Sequence, residues 1–144
     1  MSEYAEKLPY FKTSQKGPDV WIDKAKIEID RAGGVMLSEG FGESEGKAAY
    51  MLRFEIEGSR YRIIWPLAES LYHSPDKAFR NASRKQAATM LYHDVKAMCV
   101  KARAIGAEVA FFSHLELSNG KVANEMVGAT GKLPALLGKL ELGS

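Results

Sequence analysis

The chain has 144 residues, 46% of them hydrophobic and 26% charged, and a net charge of +2. This is ordinary globular composition and not that of a polycation, and the length suits one domain with its own core. No run approaches the roughly 18 consecutive apolar residues of a membrane helix, and the N-terminal "MSEYAEKLPYFK" has no apolar stretch of signal-peptide type. The expectation is a cytoplasmic protein with no membrane partner. Cys99 is the single cysteine, which excludes an internal disulfide and fits a reducing compartment. Beside Met98 in a helical pattern it reads as a buried, inert thiol.

In chain order, residues 1–17 mix aromatics, lysines and prolines without periodicity and predict an extended, partly ordered arm. Residues 18–144 form a single α+β domain. Pro18-Asp19 starts a first helix, with Trp21, Ile22, Ala25, Ile29 and Ala32 on one face and Gly33-Gly34 as its stop. Three strands follow. "VMLSEGFG" (35–42) is loosened by glycines, and "ESEG" is a turn. In "AAYMLRFEIE" (48–57), Tyr50, Leu52, Phe54 and Ile56 alternate with Met51, Arg53, Glu55 and Glu57. "RYRIIWPL" (60–67) returns with Tyr61, Ile63 and Trp65 on one face. A Gly58-Ser59 loop would pair Glu57 with Arg60, Ile56 with Tyr61, Glu55 with Arg62, Phe54 with Ile63 and Leu52 with Trp65. In that register Arg60 and Arg62 have carboxylate partners, and the open face of the sheet is a balanced, solvated one.

A long helix then begins with Ser74 as N-cap and Pro75 as first residue, and stops at Gly106. It spans about 31 residues and about 46 Å. A strand of seven or eight residues spans only about 25 Å, so the helix overhangs its sheet or packs on something else as well. "AEVAFFSHLEL" reads as a short helix or strand, Asn119-Gly120 as a turn, "KVANEMVGA" as a short helix and "GKLPALLGKL" as an apolar tail. The fold class is therefore α+β: α-β-β-β-α, a three-stranded antiparallel sheet packed on a long helix, with a short mixed C-terminal tail.

Charge is concentrated on the long helix. Between Lys77 and Arg103 stand Lys77, Arg80, Arg84, Lys85, Lys96, Lys101 and Arg103 against the single acid Asp94, a net +6 that leaves −4 for the other residues. Such polarity steers association with anions. With Ala87 at 0° on a helical wheel, Leu91, Val95, Met98, Ala102 and Ile105 fall within about 80° and form the core face. Lys85, Lys96 and Arg103 gather at about 160–180°, beside Tyr92, on the solvent side. Arg80 and Arg84 stand in line with the core face, and Lys77 lies on the same side. They must overhang the core, pair with acids or meet an external anion. Three cations on the first two helical turns make a candidate phosphate site, with Tyr72, His73 and Phe79 near enough in sequence to stack on a base.

Other motifs point away from catalysis. "GFGESEG" has the wrong spacing for a dinucleotide loop, leads into a strand and carries two glutamates where phosphates would lie. His73, His93 and His114 lack metal-ligand spacing. Asp94 lies on the apolar side of the long helix and reads as the partner of an arginine, with Arg53 the candidate, before it reads as a general base. Asp94, Glu39 and His114 are the weakest set, for an enzyme. No cofactor and no metal are expected.

The order α-β-β-β-α resembles double-stranded-RNA-binding domains in outline, and "ASRKQAATML" is similar to the start of their basic second helix. The first loop, "GESEGK", lacks their Gly-Pro-x-His pattern. The outline also resembles the strand-and-helix core of phage single-strand annealing proteins. A closer resemblance is to a group of small phage, prophage and bacterial proteins. It rests on "KAKIEIDRAGG" leading to "GFG", "FEIEGSRYRIIWPL", "RKQAATMLYHDVKAMCVKARAIG", "FFSHLELSNGKVANE" and "LPALL", over about residues 20 to 137. It implies the fold and a mobile-element setting, and carries over no site residues.

The expected function is a non-enzymatic, phage-type accessory protein that binds DNA or RNA without sequence preference. Lys77, Arg80 and Arg84 would contact phosphates, with Lys85, Lys96 and Arg103 adding attraction. The alternative is a protein-interaction module, binding a host or phage partner or forming a homo-oligomer through the overhanging helix and the apolar tail.

Overall fold

A computed structural model describes residues 3–11, 16–44, 47–69, 76–117 and 121–123. In chain order they form helix α1 (Pro18–Arg31), strands β1 (Val35–Ser44), β2 (Lys47–Ile56) and β3 (Ser59–Pro66), the long helix α2 (Lys77–Ile105) and a single-turn helix α3 (Ala107–Ala110). The strands make one antiparallel sheet in the order β1-β2-β3. One face of it shares a core with the helices, the α+β arrangement expected from the sequence.

α1 starts where Pro18 can fill the first helical position without losing a needed amide. It ends in a Schellman motif: the Gly34 amide donates to the Ile29 carbonyl at 2.9 Å and the Gly33 amide to Asp30 at 3.0 Å. Gly33 takes φ +86°, a conformation open to glycine.

The β2–β3 hairpin keeps the predicted faces but not the predicted register. Its two loop residues are Glu57 and Gly58, at φ +51° and +83°, the double left-handed geometry of a type I′ turn. Ile56 therefore faces Ser59, Phe54 faces Tyr61, Leu52 faces Ile63 and Tyr50 faces Trp65. Relative to a Gly58-Ser59 loop the pairing moves by two residues, which preserves side-chain parity and so the apolar face. The polar face changes partners: Glu55 opposes Arg60, and Arg62 opposes Arg53.

β1 runs to Ser44 and carries a bulge, with Leu37 an extra residue between the Met36–Phe54 and Ser38–Arg53 pairs. Such a bulge switches which residues share a face. Beyond it Glu39 and Phe41 register with the inward Leu52 and Tyr50. Phe41 thereby meets the Tyr50 ring at 4.8 Å.

α2 is 29 residues long and is capped by Asp76, whose side chain accepts from the Phe79 amide. The predicted cap Ser74 and first residue Pro75 lie outside the described residues. A carboxylate at the positive end of a long helix is well matched to the exposed amides there. Gly106 ends the helix, as predicted. Ala87, Leu91, Val95 and Cys99 are buried, whereas Ile105, predicted for the core face, is 57% exposed. Ile105 lies past the reach of α1, which ends at Arg31. Trp21 meets Tyr92, and Glu28 is near enough to Cys99 to act on its thiol. The helices therefore run parallel, and α1 covers the Tyr92–Cys99 side of α2.

α2 begins about three turns, or about 16 Å, before α1 comes alongside. Part of the N-terminal arm covers this overhang. Gln86 Nε2 donates to the carbonyls of Ala5 and Pro9, both at 2.9 Å, and Phe11 packs on Phe79. Ala5 is fully buried, and its amide donates to Glu69.

Past Gly106 the chain turns back under the sheet. Phe111 joins Phe54 and Tyr61 in a buried aromatic trio with centroids 5.2–5.6 Å apart. "AEVAFFSHLEL" thus splits into α3, a 3-10 turn at Phe112–His114, and a bridge of Leu115 to Tyr61. The Glu116 amide donates to Arg60 and the Ala123 amide to Leu115, both at 2.9 Å. This short segment covers the outer edge of β3. The predicted Asn119-Gly120 turn, most of the "KVANEMVGA" helix and the apolar tail lie outside the described residues.

Gly34 holds this architecture tight. A Cβ there would sit 2.6 Å from Ile29 Cγ2 and 3.0 Å from both the Ile29 carbonyl and Ile56 Cγ1. Gly34→Ala should cost about 1–3 kcal/mol in urea unfolding. Gly40→Ala, where an added Cβ meets nothing within 4 Å, should stay within about 0.5 kcal/mol.

Candidate nucleic-acid interface

The six predicted contact residues do not form one site. They are spread over about 39 Å of α2, from Lys77 to Arg103. At the N-terminal end, Lys77 and Arg80 are exposed on the overhang. Arg84 is half-buried over Phe41, its guanidinium carbon 4.2 Å from the ring centroid, and its Nε donates to the Tyr50 hydroxyl at 3.4 Å. Among the described residues no carboxylate lies within 4.0 Å of these three cations. Arg84 is thus accommodated by an aromatic face and a hydroxyl, which satisfy a guanidinium without neutralising it. Phe79 packs against Phe11, their centroids 5.3 Å apart. Tyr72 and His73 lie outside the described residues.

Further along, α1 and α2 build a second positive surface that the single-helix view lacks. Trp21 of α1 packs on Tyr92 at 5.3 Å and on His93 at 5.8 Å. Lys24 Nζ stands 4.9 Å from the Trp21 centroid and 5.7 Å from that of Tyr92, and Lys16 Nζ stands 5.6 Å from Trp21. Lys96 comes in from α2, close enough to act on Lys24. The Lys24 ammonium gives up its proton more readily than an ordinary lysine. The foremost causes are the adjoining Lys16 side chain and partial loss of water, with the Lys16 and Lys96 charges adding to them. None of the three has a carboxylate within 4.0 Å among the described residues. Beside them the exposed His93 stacks on Tyr10 at 5.4 Å. Lys85 and Arg103 lie on the same stripe of α2 as Lys96, about 16 Å and 10 Å away along the axis.

Elsewhere several charges meet opposite partners. Lys26 pairs with Glu39 at 2.9 Å. Arg53 binds Glu116 through two hydrogen bonds, Nε to Oε1 at 2.6 Å and Nη2 to Oε2 at 3.1 Å. The predicted Arg53–Asp94 pair is not formed, because Arg53 lies on the outer face of the sheet and α2 is on the inner one. The Arg53 bond holds the Glu116 carboxyl below the usual range, with Arg62 and Arg60 contributing. Arg60 reaches Glu55 at 4.0 Å, the partner its register dictates.

Asp94 sits near His114 instead. Burial pushes the Asp94 carboxyl up and the His114 imidazole down, and each charge partly offsets the shift of the other. Burial raises the Cys99 thiol to about 12, in keeping with the inert cysteine inferred above. Among the described residues no three His, Cys, Asp or Glu side chains come together as a metal site.

The residues missed by sequence reasoning are Lys16, Lys24 and Trp21. The Trp21–Lys24 spacing of i, i+3 was a usable signal. Their meeting with Tyr92 and Lys96 depends on the parallel seating of two helices that brings together residues about 70 positions apart, which no local pattern encodes. The chain matches no family model, no curated protein and no solved structure.

His114 generates a pH prediction. Its folded-state pKa lies below the ordinary histidine value, so the unfolded chain takes up the proton first and stability falls as pH drops from about 7 to 5. His114→Gln should flatten urea-derived stability across that window. Asp94 acts with the opposite sign and at lower pH, in the carboxylate range.

Proposed function

We propose that this protein is a non-enzymatic accessory factor that binds nucleic acid without sequence preference, through the positive surface of α2 together with α1. One observation carries the reading: Lys16 and Lys24 rest on Trp21, the Lys96 charge acts on Lys24, and among the described residues no carboxylate lies within 4.0 Å of the three. Like charges held together in this way favour an anionic partner. The stripe of Lys85, Lys96 and Arg103 extends the positive potential along the helix, and Lys77, Arg80 and Arg84 extend it to the overhang. Aromatic rings among the cations suit a partner that carries both phosphates and flat bases. The resemblance to small phage and prophage proteins fits an accessory role of this kind.

Fluorescence anisotropy with labelled single- and double-stranded oligonucleotides tests the reading. With about three phosphate contacts, affinity should fall roughly 20- to 40-fold between 50 and 200 mM salt. Lys24→Glu combined with Lys96→Glu should weaken binding to every sequence and reduce the salt dependence. Unchanged binding in that variant would refute the assignment. Absence of binding at 50 mM salt, together with a dimeric mass by light scattering, would favour assembly through β1 instead. Among the described residues, the outer edge of this ten-residue strand pairs with nothing, and Val35 is 63% exposed beside it.

A further inference from the structure

We propose that the surface formed by Lys16, Lys24, Lys96, Trp21 and His93 is an end-binding site, which takes the terminal phosphomonoester of a single strand. The proposal rests on the nucleic-acid reading above and narrows it to a substrate class.

Three features of the geometry support it. First, the cations converge instead of tracking a backbone. Lys24 and Lys16 lie 4.9 and 5.6 Å from the same Trp21 centroid, their ammonium groups are near enough to repel, and the Lys96 charge also acts on Lys24. An internal diester carries one negative charge. A terminal monoester carries about −1.5 to −2 at neutral pH and offers three strong acceptor oxygens. Three ammonium groups, each with up to three donors, match the second far better than the first.

Second, two of the three ammonium groups rest on aromatic rings before any ligand arrives. The Trp21 and Tyr92 rings orient Lys24, and Trp21 also orients Lys16. No carboxylate among the described residues has to be displaced. The crowding that makes Lys24 give up its proton easily is relieved when a dianion enters between the charges.

Third, a stacking ledge adjoins the charges. His93 is exposed and stacks on Tyr10 at 5.4 Å, with Trp21 5.8 Å and Tyr92 5.1 Å away. A terminal base, free on one side, can lie on such a ledge whatever its identity. A base paired at a duplex end cannot turn onto the ledge without breaking its pair, which is why the site favours a single strand.

The test is anisotropy at 100 mM salt with internally labelled single-stranded 12-mers bearing a 5′-phosphate, a 3′-phosphate or hydroxyl groups only, and with the blunt duplex. A terminal phosphate at one of the two ends should raise affinity at least tenfold. Lys24→Gln and Lys96→Gln should each weaken the phosphorylated strand more than the hydroxyl-ended one, which reduces that preference to within twofold. Equal affinity for all three single strands would overturn the end-binding proposal and leave general nucleic-acid binding standing. Tighter binding of the duplex than of the phosphorylated single strand would also overturn it. If no oligonucleotide binds, the nucleic-acid reading falls and this proposal falls with it.

Discussion

The seating of α1 beside α2 on the inner face of the sheet is the constraint on which the rest of the molecule depends. A three-stranded sheet with Tyr50, Leu52, Phe54, Ile56, Tyr61 and Ile63 on one side presents more apolar surface than a single helix can cover. Ile22, Ala25 and Ile29 supply the second layer and are buried with Ala87, Leu91, Val95 and Cys99. Full burial of an isoleucine, leucine or valine among them contributes about 1.5–3 kcal/mol. The tight turn at Gly33-Gly34 lets α1 hand the chain to β1 without leaving that layer. Because α1 must lie parallel to α2 to do this, Trp21 reaches Tyr92, and the lysines that flank Trp21 are carried to Lys96.

The two ends of the sheet are finished differently. The outer edge of β3 is covered by the Leu115–Leu117 segment, which returns after Phe111 has entered the core. A row of unpaired amides and carbonyls there would otherwise remain open to another strand. At the β1 side, the bulge at Leu37 turns Phe41 inward, and that ring becomes the support for Arg84. One inserted residue in an edge strand thus decides how a cation on α2 is accommodated.

The distribution of charge separates the structural ion pairs from the candidate surface. Acids meet bases on the open face of the sheet, where Glu116 gathers Arg53 with Arg60 and Arg62 nearby, and along α1, where Lys26 meets Glu39. On the outer side of the α1–α2 seam the lysines meet aromatic rings instead. The excess positive charge of the long helix is therefore not a uniformly solvated back face. Part of it belongs to a surface that two helices make together.

The sequence by itself determined the order and type of α1, the three strands and α2, the inward face of β2 and β3, the glycine stops of α1 and α2, and the burial of Cys99. Those follow from local periodicity and backbone preference, which act within a few residues. It did not determine the hairpin register, because a shift of two residues leaves every side chain on the same face, and only the double left-handed turn at Glu57-Gly58 selects one pairing. Nor did it determine the partner of Arg53 or the neighbours of Lys24. Those contacts join residues 63 positions apart in the first case and opposite helices in the second. The tertiary structure decided them, since charges far apart in the chain acquire partners only when burial of the apolar faces has set the distances between elements.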